Sequence, residues 1–306
     1  MTIRFDDQVV IVTGSGNGLG KSHALEFARR GARVVVNDLG ATLDGTGGSS
    51  AAAQQVVDEI NASGGDAIAN GANVTDMAQV EDMVAHAIDK WGRVDVLVNN
   101  AGILRDKTFT KMDLADFELV VDVHLMGAVN CTKAVWESMC ERQYGRIVMT
   151  SSSSGIYGNF GQTNYGAAKM SLIGFMNSLF LEGQKYGIHV NSLAPIAATR
   201  MTENLLPEDV LAQLDPAAVT PAVIFMASEG APTKQIIAAG AGVFARVAIQ
   251  ETPGVYLAED QRSAETIAAQ WEQIAATEGA VELNAGSDQT VKFLTRAAKA
   301  LGIEIS

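Results

Sequence analysis

Short apolar runs and longer amphipathic stretches alternate along the chain, and this alternation predicts repeated βα units. Seven runs rich in valine, isoleucine and alanine predict β-strands: Val9–Thr13, Ala32–Asn37, Ala67–Ala72, Val94–Asn99, Arg146–Ser151, Ile188–Leu193 and Gln235–Ala239. Segments between them with apolar residues every three or four positions predict α-helices. The pattern is typical of an α/β fold: a doubly wound parallel sheet with helices on both faces and right-handed crossovers.

The clearest helix pattern covers Asp76–Trp91. Its apolar residues share one face; they are Met77, Val80, Val84, Ile88 and Trp91. We expect Thr75 to cap the start of this helix and Gly92 to stop it. Helical patterns also cover Gly18–Arg30, Ser263–Thr277 and Ser287–Leu301.

A serine, a tyrosine and a lysine near the middle of the chain form the strongest chemical motif. Tyr165 follows Ser152 by thirteen residues, and Lys169 follows Tyr165 by four. Residues four apart share one face of a helix, so the ammonium would lie beside the phenol and lower its pKa from the usual value of about 10. With the serine hydroxyl holding a substrate oxygen, this is an acid/base site for an alcohol and a carbonyl. An ordinary amphipathic helix is the alternative.

A glycine-rich loop, TGSGNGLG at Thr13–Gly20, lies between the first strand and the first helix. Its spacing differs from G-x-G-x-x-G, but the strand–loop–helix context is that of a dinucleotide site. In this context Gly14 would permit a tight turn, Gly18 a close approach to a pyrophosphate, and Gly20 the packing of the helix on the strand.

Asp38 ends the second predicted strand, twenty residues after Gly18. A carboxylate at this place accepts hydrogen bonds from an adenosine ribose and repels a 2′-phosphate, so it favours NAD over NADP. A solvated turn residue is the alternative. Asn99-Asn100-Ala101-Gly102 follows the fourth strand, where small residues leave room for a cofactor and Asn99 can brace neighbouring strands.

Together these motifs resemble the short-chain dehydrogenase/reductase family over at least residues 6–240. The resemblance rests on Thr13-Gly14-x3-Gly18-x-Gly20, Asn99-Asn100-Ala101-Gly102, Ser152, Tyr165-x3-Lys169 and the segment Asn191–Pro195. Within the family, the stretches VNDLG, NNAGILRDK, YGRIVMTSSSSGIYGNFGQTNY and RMT are similar to one branch. That branch comprises the (3R)-hydroxyacyl-CoA dehydrogenase units of peroxisomal multifunctional enzymes, and this chain would be a free-standing version.

The resemblance implies an NAD-dependent oxidoreductase that transfers a hydride between nicotinamide and a secondary alcohol or ketone. The expected reaction converts a (3R)-3-hydroxyacyl-CoA to the 3-oxoacyl-CoA, with NAD as cofactor. Tyr165 would move the hydroxyl proton, Ser152 would orient the substrate oxygen, and Lys169 would also hold the nicotinamide ribose. The alternatives are a 3-oxoacyl-carrier-protein reductase, a hydroxysteroid dehydrogenase and a nucleotide-binding scaffold without turnover.

The family's motifs, carried over position by position, imply a cofactor site built from Gly14, Ser15, Asn17, Gly18, Leu19, Asp38, Asn73, Val74, Asn99, Ala101, Gly102, Tyr165, Lys169, Pro195 and Thr199. Three positions depart from the family's pattern. Asn73 replaces an adenine-contacting aspartate, Ile196 replaces the glycine that usually follows Pro195, and His124 replaces an asparagine that holds a proton-relay water. A neutral imidazole both donates and accepts, so His124 joins the expected catalytic residues; a packed histidine bonded to a backbone carbonyl is the alternative.

The family's fold implies a single Rossmann-like sheet in the order 3-2-1-4-5-6-7. Residues 1–242 would form the dinucleotide-binding and catalytic domain. Residues 243–306 would form a helical extension packed on the same domain or on a neighbouring subunit. The stretch Asp38–Ser50 would be a loose loop or a cover for the adenosine, and Thr199–Leu214 would be the substrate lid, with a helix beginning near Pro207.

The family's two long helices, here Ala115–Glu141 and Tyr165–Lys185, pack against symmetry mates. We therefore expect a homodimer or homotetramer. The apolar residues assigned to this contact are Leu125, Met126, Val135, Phe175, Leu179 and Phe180.

The composition and net charge of the chain limit the classes of molecule that it can bind. The net charge is −13, from 22 basic and 35 acidic residues, which argues against nucleic acid or an anionic membrane. An anionic CoA would need a local basic patch, for which Arg105, Lys107 and Arg200 are the candidates, with solvated surface charges as the alternative. We expect a cytoplasmic protein, since no leader or long apolar run is visible. No metal is expected from the four scattered histidines, and Cys131 and Cys140, on one predicted helix, should be reduced.

Overall fold

The structure, a computed structural model, describes residues 2–42, 44–46, 51–196 and 214–303. Its centre is an eight-stranded sheet in the order 3-2-1-4-5-6-7-8. The strands are β1 (Val9–Thr13), β2 (Arg33–Asn37), β3 (Asp66–Asn70), β4 (Val96–Asn99), β5 (Gly145–Thr150), β6 (Ile188–Pro195), β7 (Ile236–Gly240) and β8 (Val243–Val247). The first seven strands pair in parallel, so the predicted α/β fold and strand order are confirmed.

Helices cover both faces of this sheet. They are α1 (Gly18–Arg29), α2 (Ala51–Ala62), α3 (Met77–Trp91), α4 (Leu114–Val121), α5 (Gly127–Glu141), α6 (Ser153–Tyr157), α7 (Thr163–Gly183) and α8 (Thr220–Ala227). Later in the chain, after Val247, the described residues form α9 (Ala264–Ala269), α10 (Trp271–Ala275) and α11 (Gly286–Leu301). Short 3₁₀ turns lie at Phe109–Lys111, Gln184–Tyr186, Pro216–Ala218 and Glu259–Gln261. The predicted lid and its helix start at Pro207 lie outside the described residues, apart from Leu214.

β8 is an edge strand that the sequence analysis missed. Ala241 and Gly242 connect it to β7, with φ angles of +48° and +74°. Such a short connection joins antiparallel strands. Val243 and Phe244 are 67% and 48% exposed. β8 is thus an exposed strand, although four of its five residues are apolar.

The start of α3 corrects one prediction. Thr75 does not cap this helix; the Asp76 carboxylate does, accepting from the N–H groups of Ala78 and Gln79 at 3.1 and 3.2 Å. Thr75 instead donates its hydroxyl to Asn73 Oδ1. The stop at Gly92 is confirmed, since this residue adopts φ = +81° and closes the last turn.

The helix predicted over Ala115–Glu141 contains an irregular turn. Asp122–Met126 forms a π-helical turn between α4 and α5, and a turn of this kind is common at functional sites. Cys131 and Cys140 both lie on α5 and are free thiols, as predicted.

Three apolar residues assigned to a subunit contact are buried inside this chain. They are Val135, Leu179 and Phe180, which are 0%, 9% and 8% exposed. Their assignment to an intersubunit face is therefore wrong, because they already pack in the core. Met126 is 43% exposed, and the oligomeric state stays a prediction.

The chain divides into two compact units, Met1–Arg246 and Val247–Ser306. In the second unit, Glu251 pairs with Val281 in an isolated antiparallel bridge and accepts a hydrogen bond from Lys292 Nζ at 2.6 Å. The helix predicted over Ser263–Thr277 is two shorter helices, α9 and α10. The last helix, α11, ends at Gly302 in the left-handed conformation.

Buried charges tie the amino ends of the central strands together. Asp95, directly before β4, is fully buried and accepts from Arg93 and Arg142 at 2.7 and 2.8 Å and from the Val9 N–H at 2.9 Å. The Arg146 guanidinium, at the start of β5, donates to the backbone carbonyls of Gly145, Gly187, Ser228 and Glu229. Each buried charge therefore has the partners that make its burial tolerable.

Among the described residues, no helix is long and apolar enough to cross a membrane. Within the same part of the chain, no group of three or more histidine, cysteine, aspartate or glutamate side chains is placed to hold a metal ion.

Candidate active site

The carboxyl ends of the central strands open into one cavity of about 450 Å³, the edge at which open parallel sheets bind ligands. The wall contains most of the predicted cofactor residues: Gly14, Asn17, Gly18, Leu19, Asp38, Asn73, Val74, Ala101, Gly102, Tyr165, Lys169 and Pro195. Ser15 and Asn99 are not part of this wall, and Thr199 lies outside the described residues. The wall also includes residues that the sequence analysis did not single out, among them Leu39, Ala41, Thr42, Gly45, Asn100, Ile103, Leu119, Val123 and Thr150.

The glycine loop turns between β1 and α1. Gly14 and Gly18 have φ angles of +61° and +53°, a left-handed backbone that favours glycine. A side-chain carbon at Gly20 would lie 2.2 Å from the Gly14 carbonyl oxygen, so the loop closes on the first turn of α1. The first N–H groups of a helix have no intrahelical partner, so this helix start can bind an anion. The Ser15 hydroxyl is turned away and donates to the Val12 carbonyl.

Asn100 ties the turn after β4 to the glycine loop. Its side-chain amide donates to the carbonyls of Thr13 and Gly14 at 2.9 Å each. The Thr13 hydroxyl accepts in return from the N–H groups of Asn100 and Ala101 at 3.0 Å each. Sequence reasoning missed both side chains, although the doubled asparagine in the motif marked the position.

Asn99 braces the core behind the cavity. Its amide donates to the Thr132 hydroxyl on α5 at 3.1 Å and contacts the Met149 sulfur on β5 at 3.3 Å. The Asn99 side chain thus contacts the neighbouring strand β5, as predicted. It does not line the cavity wall.

Asp38 places a carboxylate at the end of β2, against the glycine loop. One oxygen accepts from the Gly16 N–H and the other from the Gly40 N–H, both at 2.7 Å. Asn73 lies in the same wall and accepts from the backbone N–H and the hydroxyl of Thr75. This end of the cavity therefore carries a fixed negative charge beside neutral hydrogen-bonding groups.

Ser152, Tyr165 and Lys169 meet at the opposite end of the cavity. Ser152 follows β5 and caps α6, where its hydroxyl accepts from the Ser154 N–H at 3.2 Å. Tyr165 lies in the first turn of α7, with Lys169 one turn later. The Lys169 Nζ lies 5.5 Å from the centre of the Tyr165 ring and donates to the Thr150 carbonyl at 2.6 Å. The predicted shared helix face is confirmed.

The pKa values of Tyr165 and Lys169 differ from the sequence prediction. Burial raises the pKa of Tyr165 to about 12, against a smaller lowering by the Ser152 hydroxyl. Burial also lowers the pKa of Lys169 to about 7. The expected lowering of the phenol pKa by Lys169 is therefore not found, because burial has the largest effect on the Tyr165 pKa.

The π-helical turn presents His124 to this end of the cavity. The imidazole is 3% exposed, and its Nε2 lies 2.9 Å from the Ile103 carbonyl oxygen. Its ring packs edge-to-face on Tyr165 with centroids 5.3 Å apart. Burial and the nearby Lys169 ammonium hold the pKa of His124 well below its usual range, so the ring is neutral. Its Nδ1 is buried without a hydrogen-bond partner in the described part of the chain.

The His124 ring leaves no room for a side chain at residue 102. A side-chain carbon at Gly102 would lie 2.2 Å from His124 Cε1 and 2.8 Å from Nδ1. The glycine of the Asn-Asn-Ala-Gly turn therefore makes room for the imidazole.

The basic candidates for CoA binding are engaged within the chain. Arg105 and Lys107 both pair with the Asp116 carboxylate, at 2.7 and 3.0 Å. Lys107 also lies 3.3 Å from Asp113. Arg200 lies outside the described residues.

The cavity fits a nicotinamide dinucleotide. Its length runs from the Asp38 carboxylate, past the glycine loop and the start of α1, to the hydroxyls of Ser152 and Tyr165. Two buried polar atoms near the tyrosine end, Thr150 Oγ1 and His124 Nδ1, have no partner among the described residues. Unpaired buried polar atoms are costly, so they indicate room for polar groups of a ligand or water. The fold and site thus define a Rossmann-type oxidoreductase.

Comparison with known proteins agrees with this class. The family model for short chain dehydrogenases matches residues 8–209. Peroxisomal multifunctional enzyme A of Dictyostelium discoideum is 48% identical over 275 residues, which are 90% of this chain and 61% of that protein. The 3-oxoacyl-[acyl-carrier-protein] reductase of Synechocystis is 45% identical over 205 residues, covering 67% of this chain and 80% of the reductase.

Comparison with solved structures also agrees with this class of protein. Full-length peroxisomal multifunctional enzyme type 2 from Drosophila melanogaster superposes with a TM-score of 0.82 at 36% identity, covering 97% of this chain and 50% of that one. A 7α-hydroxysteroid dehydrogenase complexed with NADH and 7-oxo glycochenodeoxycholic acid has a TM-score of 0.70 at 28% identity, covering 78% of this chain and 95% of that one. The chain belongs to the short-chain dehydrogenase/reductase family, and it spans about half to three fifths of the multifunctional relatives reported above.

Proposed function

We propose that the protein uses NAD to interconvert (3R)-3-hydroxyacyl-CoA and 3-oxoacyl-CoA. The observation that carries the proposal is the pair of hydroxyls, Ser152 and Tyr165, at one end of a cavity whose other end holds Asp38. Gly14, Gly18 and the start of α1 would hold the pyrophosphate between these ends. When bound, the nicotinamide supplies the hydride chemistry.

The chain's own residues move the proton and hold the substrate. The Ser152 hydroxyl donates to the substrate oxygen and keeps it beside the phenol. Tyr165 takes the alcohol proton in the oxidation and returns it in the reduction. Since burial raises the pKa of Tyr165 to about 12, the phenol needs a nearby positive charge to exchange protons at neutral pH.

Lys169 is the group that can supply this charge. Its nitrogen donates to the Thr150 carbonyl, and in the ammonium form it has two further N–H bonds to offer. Hydrogen-bond acceptors next to the amine, such as ribose hydroxyls or a water, favour the ammonium and so raise its pKa. We assign Lys169 to holding the ribose and to lowering the pKa of Tyr165 once the site is filled.

His124 completes the proton path in this proposal. His124 Nε2 lies 2.9 Å from the Ile103 carbonyl oxygen and 3.2 Å from the Ile103 backbone nitrogen. In the tautomer that donates to the carbonyl, Nδ1 is an acceptor. A water bound there would donate to Nδ1 and could pass its proton on. This position gives the imidazole the task that an amide has elsewhere in the family.

NAD is favoured over NADP by charge. The Asp38 carboxylate is fixed by two backbone N–H groups, so it is held in place to accept from ribose hydroxyls and to repel a 2′-phosphate. The NADH-bound hydroxysteroid dehydrogenase is a structural neighbour that supports this preference.

The acyl-CoA substrate is supported by the names of the multifunctional relatives. A 3-oxoacyl-carrier-protein reductase is the second candidate, favoured by the Synechocystis relative, which matches over 80% of its own length. Both substrates carry a 3-oxygenated acyl thioester, so they differ in the carrier rather than in the reacting carbon.

The test is a panel of substrates assayed with both cofactors. It contains (3R)- and (3S)-3-hydroxyacyl-CoA, 3-oxoacyl groups on CoA and on carrier protein, and a hydroxysteroid. The proposal expects the highest kcat/KM for the (3R)-CoA ester with NAD. A clear preference for the carrier-linked substrate with NADPH would replace it with the second candidate.

A further inference from the structure

Two Asn-Gly pairs occur in the chain, Asn17–Gly18 in the glycine loop and Asn70–Gly71 at the end of β3. An Asn-Gly pair is the sequence most open to deamidation, because glycine has no side chain to shield its backbone nitrogen from the asparagine amide. The local structure decides whether that nitrogen can reach the amide carbon. The two pairs differ in this respect, so each serves as a control for the other.

Asn17 is exposed, and the helix that follows does not hold its side chain. It directly precedes the first residue of α1 but makes no side-chain capping bond. Gly18 is also exposed, and the first N–H of a helix has no intrahelical partner. The Asn17 carbonyl accepts one backbone bond, from the Lys21 N–H at 3.1 Å, and the end turn of a helix opens at little cost. The amide can therefore turn toward the Gly18 nitrogen without giving up a capping bond.

Asn70 is held by both its side chain and its backbone. Its Oδ1 accepts from the Asn37 amide at 3.0 Å and from the Ala72 N–H at 2.9 Å. Its backbone carbonyl accepts from the Asp38 N–H at 3.0 Å. The five-membered ring formed in deamidation requires a backbone ψ that a β-strand does not have. Asn70 would therefore have to leave β3 and disrupt these bonds.

We propose that Asn17–Gly18 is a site of spontaneous deamidation, and that this reaction weakens dinucleotide binding at the glycine loop. The Gly18 nitrogen bonds to Asn17 Cγ, and the amide nitrogen leaves as ammonia with the Gly18 proton. Water then opens the succinimide ring at one of its two C–N bonds, which leaves either an aspartate or an isoaspartate. Water is the only other reactant, and no group is oxidised or reduced.

Either product places a carboxylate at the start of α1. Asn17 and Gly18 line the cavity, and the start of α1 is the place assigned above to the pyrophosphate. A carboxylate there repels a diphosphate and competes with it for the helix N–H groups. An isoaspartate also adds a carbon atom to the backbone of the loop. This second half of the inference rests on the proposed function, because it takes the ligand to be a dinucleotide.

Incubation of the full-length protein in mildly alkaline buffer tests the reaction. A synthetic peptide of residues 5–21, incubated in parallel, sets the time scale. Tryptic peptides are analysed by tandem mass spectrometry, and isoaspartate is labelled with an isoaspartyl methyltransferase. Residue 17 should change from amide to acid at least about tenfold faster than residue 70, the factor for the hydrogen bonds that hold the Asn70 side chain. Equal rates at the two residues, or an intact Asn17 after the synthetic peptide has reacted, would overturn the proposal.

Fluorescence titration with NADH, before and after incubation, tests the consequence. The parent should lose affinity in proportion to the modified fraction. Asn17→Ser has no amide to lose, so it should keep the affinity of its own fresh sample. Asn17→Asp imitates one product and should bind NADH at least about tenfold more weakly than Asn17→Ser. Its Tm should not be lower, because a carboxylate stabilises the start of a helix.

The outcomes separate this inference from the proposed function. If the parent binds NADH and Asn17→Asp binds it as tightly as Asn17→Ser, the effect on cofactor binding is refuted. If the parent binds neither NADH nor NADPH, the proposed function fails. The mass spectra then decide by themselves whether Asn17 deamidates ahead of Asn70.

Discussion

Replacing Gly102 with alanine should destabilise the protein through a single side chain, His124. The backbone at Gly102 is not left-handed, so alanine is permitted by conformation. The new carbon would lie 2.2 Å from His124 Cε1, whereas carbon atoms pack at about 3.5–4.0 Å. The buried ring must therefore retreat by more than an ångström and lose its bond to the Ile103 carbonyl.

The expected cost follows from these two effects. Overpacking a well-filled site costs about 1–3 kcal/mol, and one buried hydrogen bond contributes about 1 kcal/mol. Gly102→Ala should thus lower the free energy of unfolding by about 2–4 kcal/mol. In the His124→Ala background the ring is gone, so the same change should cost less than about 1 kcal/mol.

Urea unfolding of the four proteins in this double-mutant cycle measures the coupling. Gly230→Ala is the control, because a side-chain carbon there meets no atom within 4 Å. It should be neutral or stabilising by up to about 1 kcal/mol. Equal costs of Gly102→Ala with and without the imidazole would refute the steric argument.

Substitutions at four residues test the site. Tyr165→Phe should bind NADH normally but lower kcat by about 10²-fold or more, because only the phenol moves the proton. Asp38→Ser should invert the kcat/KM ratio of NAD to NADP, because a charge that repels the 2′-phosphate is removed. Lys169→Met should raise the Tm of the cofactor-free protein at pH 7, with a gain that shrinks toward pH 10.5. His124→Asn should keep most turnover, whereas His124→Leu should lose it while still binding NADH.

The sign of the Lys169 prediction follows from its pKa. Burial lowers the pKa from 10.5 to about 7, so between these values the unfolded chain binds more protons than the folded one. The stability of the parent therefore rises with pH across this window, and below it the full cost of the buried amine remains. A Tm gain that does not change between pH 7 and pH 10 would contradict this account.

The following results would contradict the proposed roles of Tyr165, Asp38 and His124. Turnover of Tyr165→Phe within about threefold of the parent would exclude the phenol as the proton carrier. A parent that already prefers NADP would show that Asp38 does not read the ribose. If both His124 variants lower Tm and leave the turnover of folded protein unchanged, the imidazole is structural only.

The sheet was predictable because its central strands are covered on both faces. A strand of this kind is apolar throughout, and the seven predicted strands lie within two residues of the observed ones. β8 was missed because the sequence analysis ended the catalytic domain at Gly242, directly before this strand. An edge position alone does not hide a strand, since β3 lies at the other edge and was predicted. The cap of α3 was misplaced by one residue because threonine and aspartate are both good N-caps and are adjacent here.

The sequence identified residues of the candidate site but did not indicate their pKa values. The spacing of Tyr165 and Lys169 determines that they share a helix face. Their pKa values depend on how deeply α7 is buried, which no local pattern records. The partnership of Arg105 with Asp116 was equally invisible, because it joins two segments that meet only in the folded chain.

The distribution of charge between the two ends of the sheet has a practical consequence. The candidate active site lies at the carboxyl ends of the strands, whereas Asp95 and Arg146 hold the amino ends together. Directed evolution toward a new alcohol can therefore randomise the carboxyl-end loops while the amino-end charges stay untouched. Conversely, variants selected for heat tolerance by changes around Asp95 should keep the substrate range of their parent, so the two properties can be improved in separate libraries and then combined.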